Sequence, residues 1–422
     1  MREKKKFEYK WIIAGCCFLM IFGVLGFACG NKALYLSAIT EALNIPRSLF
    51  SINDSLRYIA QALVNLAFGV LVVKFGARKL IAAGFVSLAI SLIFYIFAEN
   101  IAMFYLGGIF LGVGLGWTGT ATVGYVVNRW FTQNKGTIMG VILCSNGLGT
   151  AIGAQIITPI IYDETNPFGY RNAYKLCLIV LVVVAVIVVA LFRNSPGINV
   201  AKEEKKPKTL VRNGLPFNQA VKKPYFYSVA ICVFLTGAAL QGITGISSAH
   251  LKDVGIDTAF IATAASIHSL VLLTAKFLTG YIHDKFGLRV TTSFCYIAAT
   301  VAFVALALSA PTAGGKTLAI VYSIFSSLAL PLETIMVPLI TGDIFGQASY
   351  AKMLGVLMAV NTAGYACGAF VVNFAFDIVG TYLPVLYISA ALFFGIMITF
   401  LITLKTVDKE QALTEQVQEQ TT

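Results

Sequence analysis

The sequence is built from long apolar runs that charged residues rarely interrupt. Hydrophobic residues make up 58% of the chain and charged residues 12%, whereas soluble globular proteins carry about 25% charged residues. About 20 apolar residues cross a bilayer as a helix, so these runs suffice for roughly a dozen crossings. This pattern excludes a soluble enzyme, a nucleic-acid-binding domain and a secreted disulfide scaffold. It predicts a multi-pass protein of the cell membrane, embedded in the lipid bilayer.

Charged residues and Pro/Gly positions divide the apolar sequence into twelve predicted spans. Each is long enough to cross the membrane as a helix, so the predicted fold class is an all-α membrane protein. The spans cover residues 11–38, 48–73, 79–98, 101–128, 137–161, 173–192, 225–250, 258–282, 290–309, 317–342, 353–376 and 381–404. An even number of crossings places both termini on the same side of the membrane.

The distribution of basic residues predicts which side that is. Of the 31 Lys and Arg residues, 23 fall in the termini and in the loops on their side, and five fall in the opposite loops. Because cytoplasmic loops carry the excess of Lys and Arg, both termini are predicted to be cytoplasmic. The formal net charge of +12 therefore reflects orientation in the membrane, and no nucleic-acid partner is expected.

One long basic segment separates two sets of six spans. Residues 193–224 follow the sixth span and hold eight basic and two acidic residues. The predicted organisation is an N-terminal six-helix half at 1–192, a basic cytoplasmic linker at 193–224, a C-terminal six-helix half at 225–405 and a polar cytoplasmic tail at 406–422. We expect the tail to be disordered.

The sequence has no motif of a membrane enzyme, a metal site or an ATP-driven pump. All eight cysteines lie within apolar runs, without the paired loop spacing of a disulfide or zinc framework. There are three His and no H-E-x-x-H pair. The segment from Ala310 to Thr317 resembles a phosphate-binding loop but has Ala at its first Gly position, and no strand precedes it. We therefore predict no enzyme activity, no cofactor and no metal.

Two loop sequences repeat at a separation of 211 residues, half the length of the chain. One follows span two and the other follows span eight. The repeated residues are Gly69, Lys74, Phe75, Gly76 and Arg78 in the first copy, and Gly280, Lys285, Phe286, Gly287 and Arg289 in the second. Two same-orientation copies of six spans are typical of transporters with parallel halves around a central site.

A second repeat aligns span five with span eleven, at a separation of 215 residues. Its members are small or amide residues at helical spacing. They are Gly140, Asn146, Gly149 and Gly153 in span five, and Gly355, Asn361, Gly364 and Gly368 in span eleven. Small residues let helix backbones approach closely in membranes, so these faces are predicted to be helix contacts.

With these repeats, the chain resembles the major facilitator superfamily over essentially its whole length. That family has the loop G-x-x-x-D-[RK]-x-G-x-[RK] between its second and third helices, echoed between the eighth and ninth. The second copy is complete here with Asp284, whereas Val73 replaces the usual Asp of the first, the residue to which a gating salt bridge is assigned. The resemblance implies two six-helix halves related by a pseudo-twofold axis. It implies gating roles for Lys74, Gly76, Arg78, Asp284, Lys285, Gly287 and Arg289.

Further motifs resemble the monocarboxylate transporter and oxalate/formate antiporter branch of that family. They are the Lys74–Arg78 loop, Gly112-x-Gly114-x-Gly116 in span four, Asn128–Phe131 followed by Lys135-Gly136, Asp343–Gly346, and Asp377–Tyr382. The resemblance implies a secondary transporter whose partner is a small carboxylate anion, with protons as a candidate co-substrate. We expect it to function as a monomer.

Six ionisable residues lie in the interior of the predicted spans, away from their ends, where an ionised group costs at least about 2.5 kcal/mol. Such residues are functional candidates by default. They are Lys32 in span one, Asp54 and Arg57 in span two, His268 and Lys276 in span eight, and Glu333 in span ten. Three of them are permanent cations and two are carboxylates, and this excess of cations favours an anionic substrate.

Lys276 is the main candidate for the counter-charge of the substrate. It precedes Gly280 by four residues, where the resembling branch has an Arg that pairs with the substrate carboxylate. A Lys offers a point charge instead of a planar fork, so the binding geometry would differ. The alternative is that Glu333 neutralises Lys276. Lys32 is the second candidate, and its alternative is snorkelling to the outer interface.

The remaining ionisable residues have two interpretations each. Asp54 and Arg57 lie three residues apart on one helix face and are near enough to form a structural pair; a gating or proton-accepting role for Asp54 is the alternative. Glu333 either accepts a proton or compensates Lys276. His268 fits a hydrogen-bonded core histidine better than a ligand. The aromatic residues that could line a substrate cavity are Trp117, Tyr125 and Tyr281.

Together these features predict a secondary transporter that moves a small carboxylate by alternating access, as a proton symporter or an anion exchanger. In a symporter, Lys32, Asp54 or Glu333 would carry the proton. In an exchanger, Lys276 would have to be occupied by an anion before the halves close. The alternative function is efflux of a neutral or cationic hydrophobic compound, favoured if Lys276 is locked to Glu333 in an otherwise apolar cavity.

Overall fold

The computed structural model describes residues 9–162, 166, 168–194 and 216–421. Within these residues the chain is helical and contains no strand. It divides into two compact units, an N-terminal unit at Met1–Thr209 and a C-terminal unit at Leu210–Thr422. Most of the predicted linker, residues 195–215, lies outside the described residues.

The N-terminal unit is built from eight α-helices and one π-helical segment, which we call π1. In chain order they are α1 (Lys10–Ile21), π1 (Phe22–Ala28), α2 (Lys32–Ala42), α3 (Arg47–Phe75), α4 (Ala77–Ile96), α5 (Ile101–Thr118), α6 (Thr120–Trp130), α7 (Lys135–Ile161) and α8 (Gly169–Leu191).

The described residues of the C-terminal unit form seven α-helices and one π-helical segment, which we call π2. They are α9 (Phe217–Ala220), α10 (Pro224–Asp253), α11 (Thr258–Ala307), α12 (Ala313–Ala329), the π-helical segment π2 (Leu332–Met336), α13 (Val337–Phe345), α14 (Tyr350–Val379) and α15 (Leu383–Thr421).

Eleven helical segments of the described chain are long and apolar enough to cross a membrane, and one of them contains two of the predicted spans. Helix α11 has 50 residues, a length of about 75 Å at 1.5 Å per residue, against a hydrocarbon core of about 30 Å. Gly287 breaks it with a φ of 80°, which is outside the helical region. The predicted spans 258–282 and 290–309 are its two parts, in agreement with a twelve-helix arrangement.

Three predicted spans are interrupted where the sequence predicted continuous helices. Span one changes from α to π geometry at Phe22 and is broken between π1 and α2. Span four is broken at Gly119, whose backbone is extended. Span ten passes through π2 directly after Pro331, which lacks the N–H needed for regular helical hydrogen bonding. Two of these interruptions lie next to candidate site residues.

The expectation of a disordered tail is wrong, because α15 continues from the last span to Thr421. Two ion pairs hold its first turns beyond the span. Lys223 Nζ lies 3.0 Å from Glu410 Oε2, and Arg289 pairs with Asp408. These contacts join the extension to the start of α10 and to the second part of α11.

The two units repeat their internal packing as the sequence repeats predict. Gly76 and Gly287, at equivalent positions of the repeated loop, both have a φ of 80°, which favours Gly. Gly149 of α7 packs directly on the backbone of π1 at Phe22, and Gly364 of α14 packs in the same way on α10 at Phe234. A side chain at either glycine would enter the neighbouring backbone, so the small residues permit this approach.

Candidate functional site

A pocket of about 260 Å³ lies inside the N-terminal unit. It is enclosed by π1, the π1–α2 break, α2, α3, α4, α5 and α8. Three kinds of side chain line it. Charged or amide groups are contributed by Lys32, Asn53, Asp54 and Arg57, tyrosines by Tyr35, Tyr95 and Tyr174, and aliphatic groups by Val24, Leu88, Leu92, Leu111 and Leu181.

Glycines of α5 bring α3 close enough to place its polar residues in this pocket. A Cβ on Gly112 would meet the backbone oxygen of Arg57, and one on Gly108 would meet Asn53. Close helix approach through small residues is a common means of packing in membranes. The Gly-rich pattern of span four is therefore part of how the site is built.

The charged end of the pocket is a three-residue cluster. Lys32, the first residue of α2 after the break, donates from Nζ to Asp54 Oδ2 at 3.0 Å. Arg57, one turn along α3, lies with Nη2 3.3 Å from Asp54 Oδ1. The side chains of Lys32 and Asp54 are 53% and 42% exposed, whereas that of Arg57 is 11% exposed. Asp54 thus forms ion pairs with an exposed cation, Lys32, and with a buried one, Arg57.

Arg57 retains a donor that the protein does not use. Its guanidinium lies over the ring of Tyr58, with 4.3 Å between the guanidinium carbon and the ring centroid. Its Nε is buried and has no hydrogen-bond partner among the described residues. An unsatisfied buried donor costs roughly 1–3 kcal/mol, more for a charged group. An acceptor bound in the pocket would remove that cost.

Tyrosines form the wall beside the charged cluster. Tyr35 stacks on Tyr174 with ring centroids 4.2 Å apart, and Tyr95 lies 5.2 Å from Tyr174. Asn53 holds Tyr95 through hydrogen bonds of 3.1 and 3.2 Å between its amide and the phenol oxygen. The pocket therefore combines a cationic end with an aromatic and aliphatic body, as small-molecule sites commonly do.

In the C-terminal unit, the predicted residues Lys276 and Glu333 are both buried, each 5% exposed. Lys276 lies on α11, and Glu333 lies in π2, which packs against α11. Glu333 Oε1 has no hydrogen-bond partner among the described residues. The backbone oxygen of Glu333 accepts from Asn361 Nδ2 at 3.0 Å and from the Tyr365 hydroxyl at 3.4 Å. The π2 distortion thus fixes Glu333 against α14.

His268 is held in a polar network of α11 and α12. Its Nδ1 lies 3.0 Å from Ser326 Oγ, 2.9 Å from Ser327 Oγ and 3.2 Å from the backbone oxygen of Ser323. This agrees with the interpretation of His268 as a hydrogen-bonded packing residue.

The three predicted aromatic residues are not part of the lining of the N-terminal pocket. Tyr125 is buried against Phe68, with ring centroids 6.2 Å apart. Trp117 is partly buried on α5, and Tyr281 is exposed on α11, stacked on Phe277. None of them is among the residues that line the pocket. Their substrate-binding role stays a prediction.

The predicted gating residues lie at the repeated loops. Lys74 lies over the ring of Phe75, and Arg78 donates from Nε to the backbone oxygen of Val189 at 2.9 Å. In the second copy, Lys285 lies over the ring of Tyr281, and Asp284 Oδ1 lies 3.5 Å from His283 Nδ1. Of these contacts, that of Arg78 joins two helices, α4 and α8, and the others lie within α3 or within α11. Arg289 pairs with Asp408, and Gly76 and Gly287 form the turns.

The pocket residues that sequence reasoning missed include all those with an uncharged polar side chain or a thiol: Cys29, Tyr35, Asn53, Tyr95 and Tyr174. Asn53 could have been suspected because it precedes Asp54 on the same helix. The others come from separate helices and carry no sequence signal of their own. The pairing of Lys32 with Asp54 was also missed, because it depends on how α2 packs beside α3.

The sequence profile of the Major Facilitator Superfamily matches residues 11–340 and, in a second alignment, 229–421. The chain belongs to the Major Facilitator Superfamily. It is therefore a membrane transporter of small molecules and not an enzyme.

Known relatives agree on the fold and differ in substrate. The sialic acid transporter NanX of Escherichia coli (strain K12) is 22% identical, over 68% of this chain and 67% of its own length. The nitrite extrusion protein of Bacillus subtilis (strain 168) is 24% identical, over 66% of this chain and 67% of its own. The crystal structure of FucP in the outward conformation covers 94% of this chain and 99% of its own, with a TM-score of 0.72 and 15% identity. At that identity the likeness shows the fold alone.

Proposed function

We infer that this protein is a secondary transporter for a small carboxylate, which binds in the N-terminal pocket. The observation that carries the proposal is the pair of cations at one end of an otherwise aromatic and aliphatic pocket, one of them with a buried donor that the protein leaves unused. A charged group this costly inside a span is retained where it meets a substrate or an ion. A carboxylate offers two acceptor oxygens for such donors.

The pocket can hold the two parts of an organic acid separately. Its carboxylate would lie between Lys32 Nζ and the Arg57 guanidinium and would compete with Asp54 for both. Its carbon skeleton would lie against Tyr95 and Tyr174, which offer large apolar faces. The volume of about 260 Å³ suits a small acid.

Lys276 supplies a second candidate contact from the C-terminal unit. Transporters of this architecture bind substrate near the bilayer midplane and alternate access by rocking one half against the other. In this proposal Lys276 is the counter-charge of the C-terminal half.

The relatives are consistent with an anionic substrate. One is named for sialic acid, which is itself a carboxylic acid, and another for nitrite, a small inorganic anion. An inorganic anion is thus an alternative occupant of the same cationic end. It would leave the tyrosine wall of the pocket without a role, and we therefore favour an organic acid.

We propose that the transporter lies in the cytoplasmic membrane with both termini in the cytoplasm and acts as a monomer. The orientation rests on the 23 basic residues assigned to the inner side against five on the outer. Coupling is either proton symport, with Lys32, Asp54 or Glu333 carrying the proton, or exchange of one anion for another.

Counterflow in proteoliposomes tests the proposed function. Wild-type protein is reconstituted and tested with labelled formate, lactate, pyruvate and oxalate, with nitrite as competitor, in the presence and absence of a pH gradient. We expect saturable counterflow of at least one carboxylate. Stimulation by an inward proton gradient identifies symport, and dependence on internal anion alone identifies exchange. If no carboxylate moves while a hydrophobic cation or neutral compound does, efflux replaces this proposal.

A further inference from the structure

We propose that Asp54 sets the charge of the substrate, so that the N-terminal pocket selects singly charged anions over doubly charged ones. The proposal rests on the proposed function and adds to it a substrate class and a residue that determines it. It excludes oxalate and other dicarboxylates as preferred substrates, although the sequence left them open.

Three of the described residues that line the pocket carry formal charges: Lys32, Asp54 and Arg57. Asp54 is within ion-pair distance of both cations, at 3.0 Å and 3.3 Å. The cluster therefore has a net charge of +1.

One bound carboxylate makes this cluster neutral. Arg57 has a buried Nε without a partner, and a Lys ammonium has three donors, of which one hydrogen bond to Asp54 is described. Donors for one carboxylate therefore remain while Asp54 stays in place. A second negative charge on the ligand would find no cation of its own among the lining residues.

The cost of that second charge depends on how far the cluster is shielded from water. Arg57 is 11% exposed and lies at the buried side, whereas Asp54 and Lys32 are about half exposed. The interaction between two charges weakens about fourfold from an effective dielectric constant of 20 to that of water. Since the cluster is partly open to water, we expect an interaction in the weaker part of this range and a selectivity of about tenfold.

A series of charge variants separates this role from a purely structural one. Asp54→Asn raises the cluster to +2, Asp54→Glu keeps +1, and the double variant Lys32→Gln/Asp54→Asn returns to +1 with Arg57 alone. The probes are labelled propionate and labelled malonate, which have the same number of carbons and differ by one charge near neutral pH. Equilibrium binding to purified, monodisperse protein is measured by scintillation proximity, so that a variant without transport can still be read.

We expect wild type and Asp54→Glu to bind propionate about tenfold more tightly than malonate. In Asp54→Asn the preference should reverse, so the ratio of the two dissociation constants should change by more than about tenfold. The double variant should again bind propionate more tightly than malonate. The inference is overturned if the ratio is the same in all four proteins. It is also overturned if both proteins with Asn at position 54 share one ratio, because the ratio would then depend on the residue and not on the net charge.

The outcomes distinguish this inference from the proposed function. Carboxylate counterflow by wild type with an unchanged ratio in the charge series would retain the transport function and refute the role of Asp54. If Asp54→Asn is not monodisperse, Asp54→Ser replaces it as the +2 variant, and its ratio of the two dissociation constants is compared with that of Asp54→Glu. Absence of binding of either probe to wild type overturns the inference directly.

Discussion

Arg57→Gln is expected to abolish carboxylate counterflow, with a fall of about 100-fold or more in initial rate at low substrate. The substitution leaves Lys32 and Asp54 as a neutral pair, so the pocket loses its net positive charge, and the buried donor without a partner is removed as well. Truncating one partner of a buried charged hydrogen bond typically costs about 2–5 kcal/mol, which is consistent with that loss.

Two further variants show whether the effect belongs to the pocket. Arg57→Lys keeps the charge but not the planar fork, so it should retain part of the activity with a raised KM. Lys175→Gln removes an exposed cation of α8 in the same unit, which is not a lining residue of the pocket, and should behave as wild type. Wild-type counterflow in well-folded Arg57→Gln would show that the carboxylate binds elsewhere.

Lys276→Ala is the second variant expected to abolish transport. The counterflow rate should fall by about 100-fold or more, because removing one partner of a buried charge pair strongly weakens binding. Lys276→Arg should keep substantial activity, since the charge is retained. Lys252→Gln is the matched control, because Lys252 lies near the end of α10 in the same unit, is exposed and has no predicted role in binding or gating. The measurements are counterflow rates and the monodispersity of each purified protein.

Replacing Glu333 in the Lys276→Ala variant separates the two interpretations of Lys276. If Glu333 only compensates Lys276, the double variant Lys276→Ala/Glu333→Gln should recover transport that the single variant lost. If Lys276 binds the substrate, the double variant should remain inactive. Full activity of Lys276→Ala alone would contradict a role for Lys276 in either form.

Most of the fold could be predicted from the sequence, because bilayer thickness fixes the length of an apolar helix and repeats reveal the two halves. The equal φ of Gly76 and Gly287 and the matching contacts of Gly149 and Gly364 follow directly from the repeated motifs. The helix interruptions could not be placed in the same way. Apolar composition is the same in α and π geometry, so hydropathy continues through π1 without a signal. At π2, Pro331 marks the position but does not predict the π geometry.

The site was predicted in part. Ionisable residues inside spans are conspicuous, so Lys32, Asp54 and Arg57 were found as candidates, and the Asp54–Arg57 pair follows from spacing along one helix. The ion pair between Lys32 and Asp54 depends on the break before α2, because the break places Lys32, the first residue of α2, next to α3. Tyr95 and Tyr174 could not be selected, because an aromatic residue in a span looks the same whether it packs or lines a pocket.

The most direct measurement of the central claim asks where a carboxylate binds in the unmodified protein. Cys29 lines the pocket beside the charged cluster, and Cys367 of α14 is exposed outside it. The rate at which a small thiol reagent such as methyl methanethiosulfonate modifies each cysteine is followed by mass spectrometry, at rising concentrations of the carboxylate that shows the fastest counterflow. We expect saturable protection of Cys29 with no change at Cys367. Equal rates at Cys29 with and without a carboxylate that the protein transports would contradict binding in the N-terminal pocket.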